Sequence, residues 1–167
     1  MEILRIMKPA ADGYPDRTNV FQGEYAITID DKGRMVIPTG LRDEVSRAGS
    51  RLVITYNPFD AGSLYLYPHD VWERVRDKVN ALPRMRSTNR TLQMKLVGAA
   101  TVVEPDGSSR SSVPPSQRNT VGIDRKAVLV GMGDKLELWS EQAHQDQIRQ
   151  TLGDEDMAGE DLEGLQL

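Results

Sequence analysis

Alternation between apolar and polar positions is the first regularity along this chain. In EYAITIDDKGRMVIP, residues 24–38, Tyr25, Ile27 and Ile29 fall on one face of an extended segment, and a second apolar run, Met35-Val36-Ile37, follows Arg34. Two strands joined by a tight polar turn are expected. Asp30 and Asp31 suit that turn, and Gly33 suits a position that needs positive φ. The same grammar recurs downstream. RLVITY followed by SLYLYPHDVWERV, and KAVLVGM followed by KLELWSEQAHQDQI, each read as strand, turn, strand and helix. Between them, RMRSTNRTLQMKL sets Leu92, Lys95 and Leu96 at helical spacing and predicts an amphipathic helix whose cations, Arg84, Arg86, Arg90 and Lys95, have no acid among them. Such a helix is either a solvated linker or a ligand contact.

These segments belong to a tandem repeat. FQGEYAITIDDKGRMVIPTGLRDEV can be laid against LVGAATVVEPDGSSRSSVPPSQRNTV, which matches Gly23 with Gly98, Asp30 with Asp106, Arg34 with Arg110, Pro38 with Pro114 and Arg42 with Arg118. The Asp-x-x-x-Arg spacing is kept in both copies. One extra residue before Asp106 is expected as a bulge near Pro105, and Pro38 and Pro114 are expected at first helical positions. The tips differ, because Asp-Asp-Lys-Gly-Arg in the first copy becomes Asp-Gly-Ser-Ser-Arg in the second, which loses the lysine and moves the glycine. The second tip is therefore expected to be the weaker. The organisation read from these patterns is a flexible extension over residues 1–20, a first repeat over 21–82, a linking helix over 83–95, a second repeat over 96–152 and an acidic disordered tail over 153–167.

Composition narrows the chemistry. A chain of 167 residues with 38% hydrophobic content supports a modest core, as one domain or two small intertwined units. The absence of cysteine excludes a disulfide scaffold, a thiol nucleophile and a Cys-ligated zinc site, and fits a reducing compartment. His69 and His144 lie far apart in polar helical text and are expected as exposed helix residues, not metal ligands. The opening MEILRIMKPAADG has its apolar run broken by Arg5 and makes a poor signal peptide, and no run of about 18 apolar residues predicts a membrane span. No nucleophile stands beside a base, and there is no phosphate-binding glycine loop, so neither an enzyme nor a cofactor nor a small-molecule substrate is expected. The net charge of −4 hides an asymmetry: residues 1–150 hold all 21 Lys and Arg against 19 acids, while the six acids from Asp154 to Glu163 sit in the tail. The body is slightly basic.

The segments GEYAITIDDKGRMVIPTGLRDE, LYLYPHDVWERV and LELWSEQAH, together with the second Gly…Asp-x-x-x-Arg…Pro copy, resemble the MraZ family, in the AbrB-like swapped-hairpin group of bacterial DNA-binding proteins. The resemblance covers roughly residues 21–150. It implies an α+β fold in which two tandem AbrB-like swapped-hairpin repeats form a β-barrel core with flanking helices, assembled into a homo-oligomeric ring. It further implies a cytoplasmic, nucleoid-associated transcriptional regulator that binds short direct repeats of double-stranded DNA upstream of its own gene, as a repressor of the division and cell-wall gene cluster. The DNA-binding residues would be Asp30, Lys32, Gly33, Arg34 and Arg42, with Asp106, Arg110 and Arg118 in the second copy. Their chemistry suits the task. Arg34 offers a planar fork for a guanine edge or a phosphate, Lys32 a compact charge, and Asp30 an acceptor that can hold the fork. Arg42 could contact DNA, pair with Asp30 or pair with acids on its own helix. Two other readings stay open: an antitoxin-like AbrB-fold protein whose tail masks a toxin, and a ring-shaped scaffold for a protein partner.

Overall fold

Apolar residues two apart along the central strands give the chain a sheet that buries side chains on both faces. The computed structural model describes residues 20–167, so the expected extension over 1–20 lies, apart from Val20, outside the described residues. The first copy contributes β1 (Glu24–Thr28), β2 (Arg34–Val36), α1 (Thr39–Arg47), β3 (Leu52–Tyr56), β4 (Ser63–Pro68) and α2 (His69–Asn80). Helix α3 (Ser87–Gln93) follows and ends in a π-helical turn, Met94–Gly98. The second copy repeats the order with β5 (Thr101–Val103), β6 (Arg110–Ser112), α4 (Pro115–Val121), β7 (Lys126–Gly131), β8 (Leu136–Ser140) and α5 (Glu141–Arg149). The fold is α+β. Beyond α5 the chain makes two single 3₁₀ turns, Asp156–Ala158 and Glu160–Leu162, which bury no side chain.

Pairing crosses between the copies. Six strands form an antiparallel sheet in the order β1-β7-β8-β4-β3-β5, and β2 pairs with β6 in a separate two-stranded ribbon. Strand β1 therefore lies on β7 of the second copy, with Ile27 opposite Ala127, while β5 lies on β3 of the first, with Val103 opposite Leu52. Each copy's first strand is thus held by the other copy's hairpin. The hydrogen bonds trace an open sheet with β1 and β5 at its edges, and no closed barrel among the described residues.

This register moves the extra residue of the repeat. Ile27 and Val103 occupy equivalent places and differ by 76 positions, whereas Gly23 and Gly98 differ by 75. The insertion consequently falls between Gly98 and Thr101, just after the π turn, and not at a bulge near Pro105. Pro105 stands where Ile29 does in the first copy, and it lacks the N–H that Ile29 donates to the Arg125 carbonyl at 2.7 Å. Pro38 and Pro114 are helix N-caps; the first helical position of α4 is taken by Pro115.

One sheet face packs Leu52, Ile54, Leu64, Leu66, Leu129 and Leu138 under the ribbon, Leu41 and Val45 of α1 and Val121 of α4. The other face sets Val53, Tyr65 and Tyr67 against Val71 and Val79 of α2, Trp72 and Leu96. Val71, Val75 and Val79 recur every four residues, which is why α2 presents a single apolar stripe. Thr55, buried on this face, brings its hydroxyl within 2.8 and 2.7 Å of the Lys95 and Leu96 carbonyls in the π turn. His144 departs from the expectation of an exposed helix residue. It is buried where α5 crosses toward β1, with Nε2 3.1 Å from Glu24 Oε2.

Candidate nucleic-acid interface

The two Asp-x-x-x-Arg turns are built by the same bonds. In the first, Asp30 Oδ1 accepts from the backbone N–H of Lys32 and of Arg34, both at 2.9 Å, and Oδ2 accepts from Arg34 Nε at 3.0 Å. In the second, Asp106 Oδ1 accepts from Ser108 at 2.8 Å and Arg110 at 3.0 Å, and Oδ2 accepts from Arg110 Nε at 3.0 Å. The backbones match as well: Asp30 and Asp106 donate to the carbonyls of Arg34 and Arg110, and Gly33 and Ser109 donate to the carbonyls of Asp30 and Asp106. Ser109, at φ 58°, occupies the left-handed position that Gly33 fills at φ 78°. The second tip keeps the geometry without the glycine, at the cost of backbone strain.

The carboxylate therefore acts as a clamp. The Arg34 backbone N–H, with lesser help from its side chain and the Lys32 amide, holds the Asp30 carboxyl below the usual carboxylate range. Arg110 and Ser108 do the same for Asp106. Each arginine has its Nε edge engaged, which fixes the guanidinium plane and leaves the two terminal nitrogens for a ligand.

Ribbon register then brings the two arginines together. Arg34 lies opposite Ser112 and Val36 opposite Arg110, while the intervening pair, Met35 and Ser111, is fully buried. Alternation places Arg34, Val36, Arg110 and Ser112 on the outer face. Ideal strand spacings set the two arginine Cα atoms about 8 Å apart on the diagonal. Lys32 is exposed beside the first tip, where the second has Ser108. Among the described residues Asp31, 93% exposed, pairs with the exposed Arg125 at 3.5 Å, a weak pair.

Arg42 and Arg118 play a part that spacing within one copy did not show. Arg42 Nε donates to the Ile37 carbonyl at 2.9 Å and Arg118 Nε to the Val113 carbonyl at 3.0 Å, so neither forms an ion pair with its own tip. Each backs the tip of the other copy. The Arg118 guanidinium lies against Gly33, where an added Cβ would sit 2.6 Å from Nη2, and Arg42 lines a small hollow with Asp106 and Ser109. Ile37 donates to the Ser109 carbonyl at 2.8 Å and Val113 to the Gly33 carbonyl at 2.9 Å, which locks the crossing. Sequence reasoning also missed Gln117, which is buried at the position equivalent to Leu41 and donates to the Ala99 carbonyl at 2.7 Å. A polar residue in an otherwise apolar helix position was its only signal.

Fold and site define a two-repeat α+β protein that presents paired Asp-x-x-x-Arg tips on a ribbon shared between its copies. Over residues 20–95 and again over 96–161 the sequence matches the family described as "MraZ protein, putative antitoxin-like", and the chain belongs to that family. It is 59% identical over 149 residues to the "Transcriptional regulator MraZ" of Xanthomonas oryzae pv. oryzae, covering 89% of this chain and 100% of that one. The protein of the same name from Marinobacter nauticus is 40% identical over 148 residues, or 88% and 98% of the two chains. Among solved structures, "The solution structure of PHS018 from pyrococcus horikoshii" aligns at a TM-score of 0.30 and 12% identity, over 72% of this chain and 89% of that one, a likeness too slight to bear on the fold.

Proposed function

We propose that the chain is a sequence-specific, DNA-binding transcriptional regulator that reads base edges with the outer face of the β2–β6 ribbon. The observation that carries the proposal is the pair of clamped arginines on that one face, Arg34 and Arg110, each held by an aspartate through the same three bonds. A two-stranded ribbon fits the major groove, and a guanidinium fixed by its Nε edge is oriented for bidentate contact with a guanine or a phosphate. Lys32 adds a phosphate contact, and Gly33, Arg42 and Arg118 hold the tips in place. The exchange of first strands between copies supports a swapped-hairpin organisation, and the names of the relatives support regulation of transcription.

One ribbon presents few cations, so affinity comes from repetition. In this reading the protein acts in the cytoplasm, at the nucleoid, as a homo-oligomeric ring that sets several ribbons on short direct repeats upstream of its own gene. There it represses the division and cell-wall cluster. Repeats spaced by about one helical turn, roughly 10 bp, let neighbouring subunits dock together and raise their effective concentration. The test is a salt-titrated binding measurement on that upstream DNA. Binding should collapse when about 5 bp is inserted between two repeats and recover when about 10 bp is inserted. Equal affinity for the native and half-turn DNA, or for unrelated DNA, would refute the proposal.

A further inference from the structure

The basic linking helix takes no part in the ribbon, and its surroundings are unusual for an inert linker. Arg84, Arg86, Arg90 and Lys95 have no ion-pair partner among the described residues, and all four are exposed. Arg86, Arg90 and Met94 form a row at intervals of four, beside a second row, Ser87, Thr91 and Lys95, that lines an open hollow of about 360 Å³ with Phe59 and Leu92. Lys95 also lines a second, mostly apolar hollow of about 490 Å³ with Tyr56, Met94 and Val121. Phe59 is 84% exposed and Met94 62%. The two hollows share Lys95 and form an apolar groove along the helix; Arg86 and Arg90 stand on the neighbouring row of the helix, and Asp60 is the one acid among the lining residues.

The tail has the complementary character. It carries Asp154, Glu155, Asp156, Glu160, Asp161 and Glu163 and no cation, interleaved with Met157, Leu162, Leu165 and Leu167. Leu165 is 53% exposed and Leu167 fully so. Its described hydrogen bonds are all local, from Gly153 to Leu165, and none of its residues lines the groove of its own chain. Yet it leaves the body beside that groove, because Gln147 near the end of α5 donates to Asp60 Oδ2 at 2.9 Å, and Asp60 stands on the rim of the larger hollow.

We infer that the acidic, leucine-bearing tail of one copy docks in the basic groove along α3 of a second copy. Its leucines enter the hollows under Phe59 and Met94 while its carboxylates meet Arg86, Arg90 and Lys95. Tail and groove are different surfaces, so the contact is heterologous, and a heterologous contact whose rotation closes generates a ring. The inference rests on the homo-oligomeric part of the proposed function and gives that assembly a physical joint. Because the joint is edged by charge, it weakens as salt rises.

The full-length protein without DNA supplies the test, which separates this inference from the DNA-binding reading. The triple variant R86E/R90E/K95E, and a variant with all six tail acids changed to lysine, should each lower the mass seen by light scattering at low salt by about twofold or more. Combining both sets in one chain should restore it. A photo-crosslinker at Leu165, in a mixture of isotopically heavy and light chains, should join heavy to light through α3. Helical content and urea midpoints near wild type show that the variants fold. The inference is overturned if both variants keep the wild-type mass, if crosslinks stay within one chain, or if the α3 variant loses DNA binding while self-association is untouched, which would make the helix a phosphate seat.

Discussion

Arg34→Ala and Arg110→Ala should weaken specific DNA binding by comparable amounts. A bidentate arginine contact to the right base contributes about 1–3 kcal/mol of discrimination, so each variant should lose roughly 5- to 150-fold in affinity for the cognate repeat. Equality comes from the structure. Both guanidinium groups are clamped through Nε at 3.0 Å, and they are 27% and 39% exposed in their side chains. With Cα atoms about 8 Å apart and no shared partner, the double variant should lose the sum to within about 0.5 kcal/mol. The asymmetry of the tips lies instead at Lys32, whose counterpart in the second copy is Ser108: Lys32→Ala should weaken all sequences alike and reduce the slope of log affinity against log salt by about 1. Fluorescence anisotropy over a salt series, on cognate and scrambled duplexes, reads each quantity. If Arg110→Ala binds like wild type while Arg34→Ala fails, matching bonds do not make matching contacts, and the second tip is the weaker one, as its lost lysine and moved glycine lead one to expect.

Three further outcomes are expected. Gly33→Ala should lower the urea midpoint, because a left-handed alanine costs about 1–2 kcal/mol and its Cβ would displace Arg118; Ser109→Gly should raise the midpoint by relieving the same strain at φ 58°. Asp30 and Asp106 have depressed carboxyl pKa values, so the clamps contribute stability that is intact above 3.8 and lost as pH falls further; the Arg34 and Arg110 Nε–H resonances should stay in place from neutral pH down to that point, and their loss near pH 6 would contradict the geometry. Burial raises the pKa of Glu137, so its contribution is most favourable below 4.5 and is lost as pH climbs toward the folded value; Glu137→Gln, whose amide oxygen can still accept from Trp139 Nε1, should be more stable than wild type at neutral pH and flatter with pH, as read by thermal unfolding.

What the sequence made legible was local. Tyr25, Ile27 and Ile29 do share a buried or half-buried side of the chain, and the Asp-x-x-x-Arg spacing does close a turn, because both depend on residues within five positions of one another. What it hid depends on pairings between residues far apart in the chain. The place of the inserted residue became visible only from the register of β5 on β3, and the burial of His144 only from the way α5 reaches Glu24 on the opposite strand. Sequence leaves Arg42 open between DNA, Asp30 and the acids of its own helix, because all lie within its reach along one copy; the crossing of copies sets it beside the other tip. The role of Ser109 is hidden for a different reason. The glycine of Asp-Gly-Ser-Ser-Arg stands at the second position, whereas the residue with positive φ is the one just before the arginine, in both copies.

The same crossing decides how the halves can exist apart. In the whole chain β1 pairs with β7, β2 with β6 and β4 with β8, so residues 20–95 alone leave β1 and β2 without their partners and β4 with β3 on one side only. Leu64 and Leu66, fully buried now, would face an unpaired edge, and the core beneath Met35 would open where β6 is missing. A second copy of the fragment can replace what is lost, because β6 and β7 have counterparts in β2 and β3: Met35 would then lie opposite its own copy, and β1 would lie on β3 of the partner. The fragment should therefore be either a strand-exchanged dimer or unfolded, with a melting temperature that rises with concentration. Light scattering with circular dichroism over a dilution series measures both properties. A folded monomer of 20–95 that melts at the same temperature at every concentration would mean that the intact protein's cross-copy pairings are dispensable, and with them the argument that each tip is built by both halves of the chain.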